Sequence, residues 1–433
     1  MMLEAAIGFA AVLGLIFLRV PIAIALAAVG FAGYAMINGT KPALSVMGLS
    51  AVGSTMSYNL AVVPLFILMG NLVAGAGISR ELYRAAQVFV GHRRGGLGIA
   101  TILSCGGFAA VCGSSVATAV TMGRVAIPSM RSYGYADSLS TATVAAGGTL
   151  GILIPPSIIM VIYGIATETH IGKLFAAGII PGLIGVAGYG LAVNWVARRH
   201  PERAPRAEKA DRAERRDALS NVWAVCILFI IVLGGIYGGF FTATEASGIG
   251  ACGALAFALL RRTPWNDLVE ITRISAETTA VLFALIIGAS IFAEFVNLTG
   301  AHEGVLAVVS DSNLSPAMVM VVICLIYILL GCVLDSLAMM LLTLPMFFPI
   351  VVGLGFDPIW FGILVVMLVE IGLITPPIGM NLFVLKSILP DVRLGTIIGG
   401  IVPFVVVDLL RILLIALVPA ITLFLPGLFF GAG

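Results

Sequence analysis

Charge is what this 433-residue sequence has least of. Only 10% of its residues are Asp, Glu, Lys or Arg, against 60% hydrophobic ones, and the mean hydropathy is +1.14. A soluble domain is about one quarter charged, so a water-facing globule is excluded. Histidine is rarer still. There are four, His92, His170, His200 and His302, and none lies inside an apolar run. His302-Glu303 lacks the second histidine of an HExxH zinc helix; GxSxG, a Walker A loop and Cys/His metal spacing are all absent. The six cysteines (Cys105, Cys112, Cys226, Cys252, Cys324, Cys332) lie in apolar runs with no CxxC and read as inert buried thiols. These absences remove most enzyme classes. An intramembrane hydrolase with Ser114 or Ser115 as nucleophile is the surviving one; it needs a base, and none of the four histidines lies within an apolar span.

What the chain has is long apolar runs. They are continuous rather than alternating, which argues against a barrel, and the length accommodates roughly ten to twelve spans of about 20 residues. The runs fall near 3–18, 22–37, 58–76, 97–113, 115–130, 139–165, 174–197, 220–238, 243–260, 274–296, 315–334, 336–352, 359–385 and 395–424. The N-terminal run lacks a basic flank and a small-residue cleavage site, so it is expected to be a retained first span. One stretch looks soluble, the basic loop 197–217, and basic loops stay in the cytoplasm. Arg80, Arg84, Arg93, Arg94, Arg124, Arg131, Arg261 and Arg262 mark the same side. Between Arg273 and Lys386 there is no Lys or Arg; Glu294, His302, Glu303, Asp311 and Asp357 punctuate that region and read as outside. Both termini are then expected outside.

The halves repeat. A constant shift of 221 residues superposes Ser115 on Ser336, Ala117 on Ala338, Pro128 on Pro349, Gly134 on Gly355, Gly151 on Gly372, and Pro155-Pro156 on Pro376-Pro377. Residues 97–165 therefore recur as 318–386, and the basic flanks give the copies opposite orientation. An inverted repeat is typical of secondary transporters. Segments 97–113 and 115–130 are short and basic at both outer ends, as expected of a hairpin entering and leaving on the cytoplasmic face. Segments 315–334 and 336–352 match a hairpin from outside. The tips fall at "CGSSVAT" (112–118) and "VLDSLAM" (333–339).

Each copy carries a proline pair inside an apolar run: "GGTLGILIPPSIIM" (147–160) and "VEIGLITPPIGMN" (369–381). Proline removes a backbone donor and clashes with a carbonyl one turn earlier. In lipid each orphaned carbonyl costs several kcal/mol, so such a break belongs where protein or a wet cavity surrounds it. A desolvated Na⁺ fits, because carbonyl and hydroxyl oxygens replace its water shell. Tip one offers Ser114, Ser115 and Thr118 beside Gly113; its broken helix offers Gly147, Gly148, Thr149 and the carbonyls near Ile154 and Pro155. Tip two offers Asp335 and Ser336, with Thr375 and the carbonyls near Pro376 opposite. Asp335 stands where the first copy has Ser114, and an ionisable group in a membrane hairpin points to function.

At these residues the chain resembles the large membrane (M) subunit of a tripartite ATP-independent periplasmic (TRAP) transporter. The matching stretches are "CGSSVATAVTMGRVAIPSM" (112–130), "AAGGTLGILIPPSIIMVIYG" (145–164), "GGIYGGFFTATEASGIGA" (234–251), "EIGLITPPIGMNLFV" (370–384) and "PFVVVDLLRILLIALVPAITLFLP" (403–426). The resemblance covers essentially the whole chain. It implies an all-α polytopic membrane protein with two hairpins and two broken helices moving as an elevator against a scaffold. It also implies Na⁺-driven carboxylate import in the bacterial inner membrane, a periplasmic substrate-binding protein (P) and a small membrane subunit (Q), here separate. Membrane lipid surrounds such a chain, and no nucleic-acid partner is expected. By matching positions, one sodium site falls at Ser114, Ser115, Gly148, Thr149 and Pro155. The other falls at Asp335, Ser336, Thr375 and Pro376. Thr118, Pro156, Pro377, Asn381 and Arg124 are candidates for contacting substrate; Arg124 also reads as a cytoplasmic anchor. The implied organisation is scaffold and first-repeat spans 1–76, interfacial arm 77–94, and transport half one 95–165 (hairpin 95–131, broken helix 138–165). Scaffold 174–296, periplasmic arm 297–314, transport half two 315–386 (hairpin 315–352, broken helix 359–386) and a C-terminal span 395–424 follow. A stand-alone anion transporter with the same hairpins is the nearest alternative.

Four further residues stand out. Glu370 precedes the second proline pair and reads as a partner for freed backbone donors, with sodium or proton contact the other possibility. Asp408 and Arg411 are three apart on one helix face and read as a self-neutralising pair. Glu245 reads as a capping or scaffold residue.

Overall fold

The computed structural model describes residues 2–311 and 315–431. Among them there are helices and no strands, as an apolar solvent requires when every backbone group must be satisfied within its own segment. The helices are α1 (Met2–Phe17), α2 (Ile22–Asn38), α3 (Thr40–Met56), α4 (Val62–Gly75), α5 (Ile78–Val90), α6 (Gly96–Cys112) and α7 (Ser115–Ser132). Next come α8 (Asp137–Thr149), α9 (Ile158–Ala166), α10 (Ile171–Arg199), α11 (Arg212–Asn221), α12 (Trp223–Tyr237), α13 (Ala243–Leu260) and α14 (Trp265–Leu298). The chain ends with α15 (Ala301–Asp311), α16 (Pro316–Gly331), α17 (Ser336–Gly353), α18 (Pro358–Gly372), α19 (Met380–Ile388), α20 (Leu394–Leu417) and α21 (Ala420–Phe430).

The same shift of 221 relates elements as well as residues. It carries α7 onto α17 with both bounds matching, and it brings α5 onto α15, α6 onto α16, α8 onto α18, α9 onto α19 and α10 onto α20 within a few residues. The repeat thus reaches beyond the hairpins to the arm before each and the long helix after it. The two halves interlock. The second helix of each hairpin lies on the short distal arm of the other half's broken helix, α7 against α19 and α17 against α9.

Around this core, α14 packs along α2, α3 and α4, and α13 along α4. Close helix approach depends on small residues: a Cβ at Gly30 would sit 2.7 Å from the Phe292 backbone, and one at Gly288 2.3 Å from the Ala23 carbonyl oxygen. The outward faces are apolar. Leu409, Leu410, Leu413 and Leu417 on α20 are exposed, the reverse of a soluble helix.

The basic side holds together by ion pairs. Arg261 grips both carboxylate oxygens of Glu81 on the amphipathic α5, Arg84 meets Asp217 at 3.0 Å, and Arg131 joins Asp137 and Asp391, each at 2.7 Å. The soluble-looking loop contains α11, opened by a capping box between Asp211 and Glu214. Glu245 completes a second capping box with Thr242. Two elements differ from the apolar pattern. A helix, α3, forms at 40–56, where no apolar run stands out. The run 395–424 is two helices, because Pro419 withholds a donor where α20 would continue. Of the expected arm 297–314, residues 312–314 lie outside the described residues.

Candidate functional site

Tip one is a tight turn. Gly113, with φ of 63°, closes α6, and the Ser114 hydroxyl accepts from the Ala117 backbone N–H to start α7. An N-cap of this kind contributes about 1 kcal/mol. The tip then presses on break one. A Cβ at Gly113 would lie 2.8 Å from the Pro156 carbonyl oxygen, and one at Gly151 would lie 2.8 Å from the Ser114 carbonyl oxygen and 3.0 Å from the Thr118 hydroxyl. Glycine is required at both positions because backbone meets backbone. After the break, Ser157 donates to the Ile152 carbonyl at 2.5 Å and accepts from Met160 N–H, which restarts the helix as α9.

Break two is built differently. The pair Pro376-Pro377 is followed by Gly379, in the left-handed region at φ 54°, and α19 starts without a side-chain cap. Tip two reaches it through the Ile378 N–H, which donates to the Cys332 carbonyl at 3.2 Å, and through Gly331 and Gly372, whose backbones touch. Asp335 caps α17 by accepting from Leu337 N–H at 3.3 Å. Thr375 donates to the Ile371 carbonyl at 2.6 Å. Both Pro-Pro bonds are cis. Pro155 and Pro156 are buried, whereas Pro376 and Pro377 are exposed.

Two fully buried side-chain ties cross between the halves among the described residues. Ser115 and Asn381 exchange hydrogen bonds at 2.9 and 3.2 Å, and Asn381 also donates to the Ala145 carbonyl at 3.1 Å. In this state Asn381 is buried against protein. The second tie is ionic. Glu370 accepts from Thr149 at 2.9 Å and from Arg411 at 3.0 Å; Arg411 also binds Asp408 at 2.7 Å; and Tyr189 donates to Asp408 at 2.7 Å. Glu370, Asp408 and Arg411 are each 3% exposed or less. Room for the guanidinium comes from Gly185, whose added Cβ would sit 2.8 Å from Arg411 Cζ.

Several sequence expectations meet here. Ser114, Ser115 and Thr118 cluster at tip one against the break that follows Gly148 and Thr149. Thr118 donates to the Ser114 carbonyl at 2.7 Å. Asp335 and Ser336 lie at tip two, which touches the break holding Thr375 and Pro376. Arg124 stands apart, farther along α7. Glu370 satisfies side chains rather than freed backbone donors, because Thr149 and Arg411 reach it first. Asp408 and Arg411 are paired, yet not as a closed pair, since Arg411 is shared with Glu370. Tyr189 was not anticipated. A signal for the cluster did exist: Thr149 and Glu370 are related by the repeat shift of 221, and residues near a pseudo-twofold axis meet their own counterparts.

Paired broken helices of opposite orientation, each clasped by a hairpin tip, define a membrane transporter subunit. Residues 9–421 match the family model of the tripartite ATP-independent periplasmic transporter, DctM component, and the chain belongs to that family: it is a TRAP transporter large membrane subunit. It is 37% identical over 373 residues to the C4-dicarboxylate TRAP transporter large permease protein DctM of Pseudomonas aeruginosa, covering 86% of each chain. It is 32% identical over 430 residues to the sialic acid TRAP transporter large permease protein SiaM of Vibrio cholerae, covering 97% of this chain and 98% of that one. The Alcanivorax borkumensis YdaH transporter shares the fold, with a TM-score of 0.62 at 15% identity over 88% of this chain and 89% of that one.

Proposed function

We propose that the chain is a sodium-coupled importer subunit for an organic carboxylate. A periplasmic binding protein delivers the solute, a small Q subunit packs on the scaffold, and the hairpins and broken helices move as an elevator. It resides in the bacterial inner membrane with both termini periplasmic. The observation that carries this reading is that each proline break is met by a hairpin tip, backbone against backbone. A cation bound there would tie tip to break and fix whether the hairpin can open.

The donor set suits a hard cation. Every candidate ligand is an oxygen from carbonyl, hydroxyl or carboxylate, which favours Na⁺ over a softer metal. At site one, Ser114, Ser115, Gly148, Thr149 and Pro155 supply neutral oxygens in a buried break. At site two, Asp335 adds one carboxylate to Ser336, Thr375 and Pro376. Thr118, Pro156, Pro377, Asn381 and Arg124 are the proposed substrate contacts, of which Asn381 must first leave its bonds to Ser115 and Ala145.

The experiment is uptake of carboxylates into proteoliposomes holding the chain with its small subunit. It is run with and without an inward Na⁺ gradient and with and without the binding protein. Dependence on both supports the tripartite reading; sodium-driven uptake without the binding protein would replace it by a stand-alone anion transporter. Asp335→Ala is expected to abolish uptake while membrane insertion persists. Ser115→Ala and Thr375→Ala are expected to raise the Na⁺ concentration for half-maximal uptake; an unchanged sodium curve in both would leave those hydroxyls as backbone partners only.

A further inference from the structure

A cavity of about 520 Å³ opens on the basic side of the molecule, between α7 of hairpin one and the scaffold wall made by α4, the start of α5, and α14. Ligand pockets fall in roughly this range, about 300–1,000 Å³. Its walls bring together Arg80, Arg124, Ser79, Thr121 and Asn71, with Ile271 among the apolar residues between them, and none of its lining residues is acidic. Elsewhere on this side Arg84, Arg131 and Arg261 are matched to carboxylates. Arg80 and Arg124 form no ion pair among the described residues. Ser79 is 4% exposed, yet its hydroxyl makes no hydrogen bond among the described residues. A site with two free guanidiniums, unspent hydroxyls and no carboxylate attracts an anion, and a guanidinium matches a carboxylate as a fork.

Position narrows the anion's role. Arg124 lies nine residues along α7 from Ser115, about 14 Å toward the basic side at 1.5 Å per residue. Thr121 lies one turn nearer the tip on the same face. The cavity is therefore on the seam along which hairpin one would separate from the scaffold. We infer that Arg80 and Arg124 form a cytoplasmic exit site that holds a carboxylate-bearing solute, a dicarboxylate best, after it leaves the hairpin tip. The inference rests on the transporter reading above. An anionic lipid headgroup offers the same chemistry at the same depth, so the test separates the two sources.

The full chain is placed in phosphatidylcholine nanodiscs and its arginines are modified with phenylglyoxal, read residue by residue by mass spectrometry. Succinate at constant ionic strength is expected to slow modification of Arg80 and Arg124 and leave Arg93 and Arg94 unchanged. In Arg124→Gln the succinate concentration protecting Arg80 should rise by about tenfold, the factor a charge-assisted hydrogen bond supplies. Acetate should protect more weakly than succinate. Equal rates with and without succinate would overturn the proposal. So would protection that appears only when phosphatidylglycerol replaces phosphatidylcholine, because the occupant is then a headgroup. The readout needs no transport: protection without sodium-driven uptake keeps the site and removes the sodium-coupled import reading, and uptake without protection does the reverse.

Discussion

Break one and break two carry the same proline pair at the same repeat position, yet one is closed and the other open. At break one Gly113 lets tip one reach the Pro156 carbonyl, and the Ser157 hydroxyl caps the restarted helix. The repeat shift puts Leu334 and Ile378 at those positions in the second half. Leucine cannot adopt the left-handed turn cheaply, and isoleucine has no oxygen to cap with. The second half therefore turns through Gly379 instead, and Ile378 is left 40% exposed. A shared motif thus specifies that a helix breaks, while its neighbours specify whether the break is sealed. The closed break has neutral hydroxyl partners; the open one has Asp335.

The largest effect is expected where both halves meet. Arg411→Ala leaves Glu370 and Asp408 buried without a countercharge and should cost about 3–5 kcal/mol, seen as loss of monodisperse protein in detergent. Glu370→Gln should cost less, since the amide keeps the Thr149 contact and leaves Arg411 balanced by Asp408; similar losses for the two variants would break this account. Next comes the seal itself. Gly113→Ala places a Cβ 2.8 Å from the Pro156 oxygen in a strained backbone region and should cost about 1–3 kcal/mol. In an otherwise cysteine-free chain, Ser157→Cys should react slowly with N-ethylmaleimide and Ile378→Cys quickly, and adding Gly113→Ala should raise the Ser157→Cys rate toward the other. Equal rates at the two positions in the parent would abolish the contrast. Asn381→Ala removes the tie from break two's distal arm to Ser115 and Ala145 and should lower thermal stability by about 1–2 kcal/mol. The smallest effect is Ser157→Ala, about 1 kcal/mol for a lost cap, measured by the same melting curve; no change would mean the Ile152 carbonyl and Met160 amide find other partners.

Much of the fold was legible because its signals are local. Proline pairs break helices wherever they occur, basic flanks choose a side, and a constant spacing of 221 between rare residues reveals duplication. Gly151 and Gly372 were visible as repeat partners, and the structure shows each where backbones touch. The candidate site was legible as two clusters, tip and break, for the same reason. Its interior was not. Asn381 was visible as a polar residue after a proline pair, but its partner Ser115 is 266 residues away. Tyr189 lies in an apolar run whose sequence gives no hint that its hydroxyl reaches Asp408.

By itself, then, the amino-acid sequence determined that this chain lives in a membrane, that it is an inverted duplication, and that each half breaks a helix beside a polar hairpin tip. Those properties follow from hydropathy, charge asymmetry and proline geometry, each set by residues a few positions apart, and from a spacing of 221 that recurs along the chain. Tertiary structure alone decided that Thr149 meets its own repeat counterpart Glu370, that Arg411 serves two carboxylates, and that Arg80 and Arg124 face one cavity. These depend on helix faces meeting across long separations, where packing and the cost of an unpartnered buried charge, rather than local preference, select the contact.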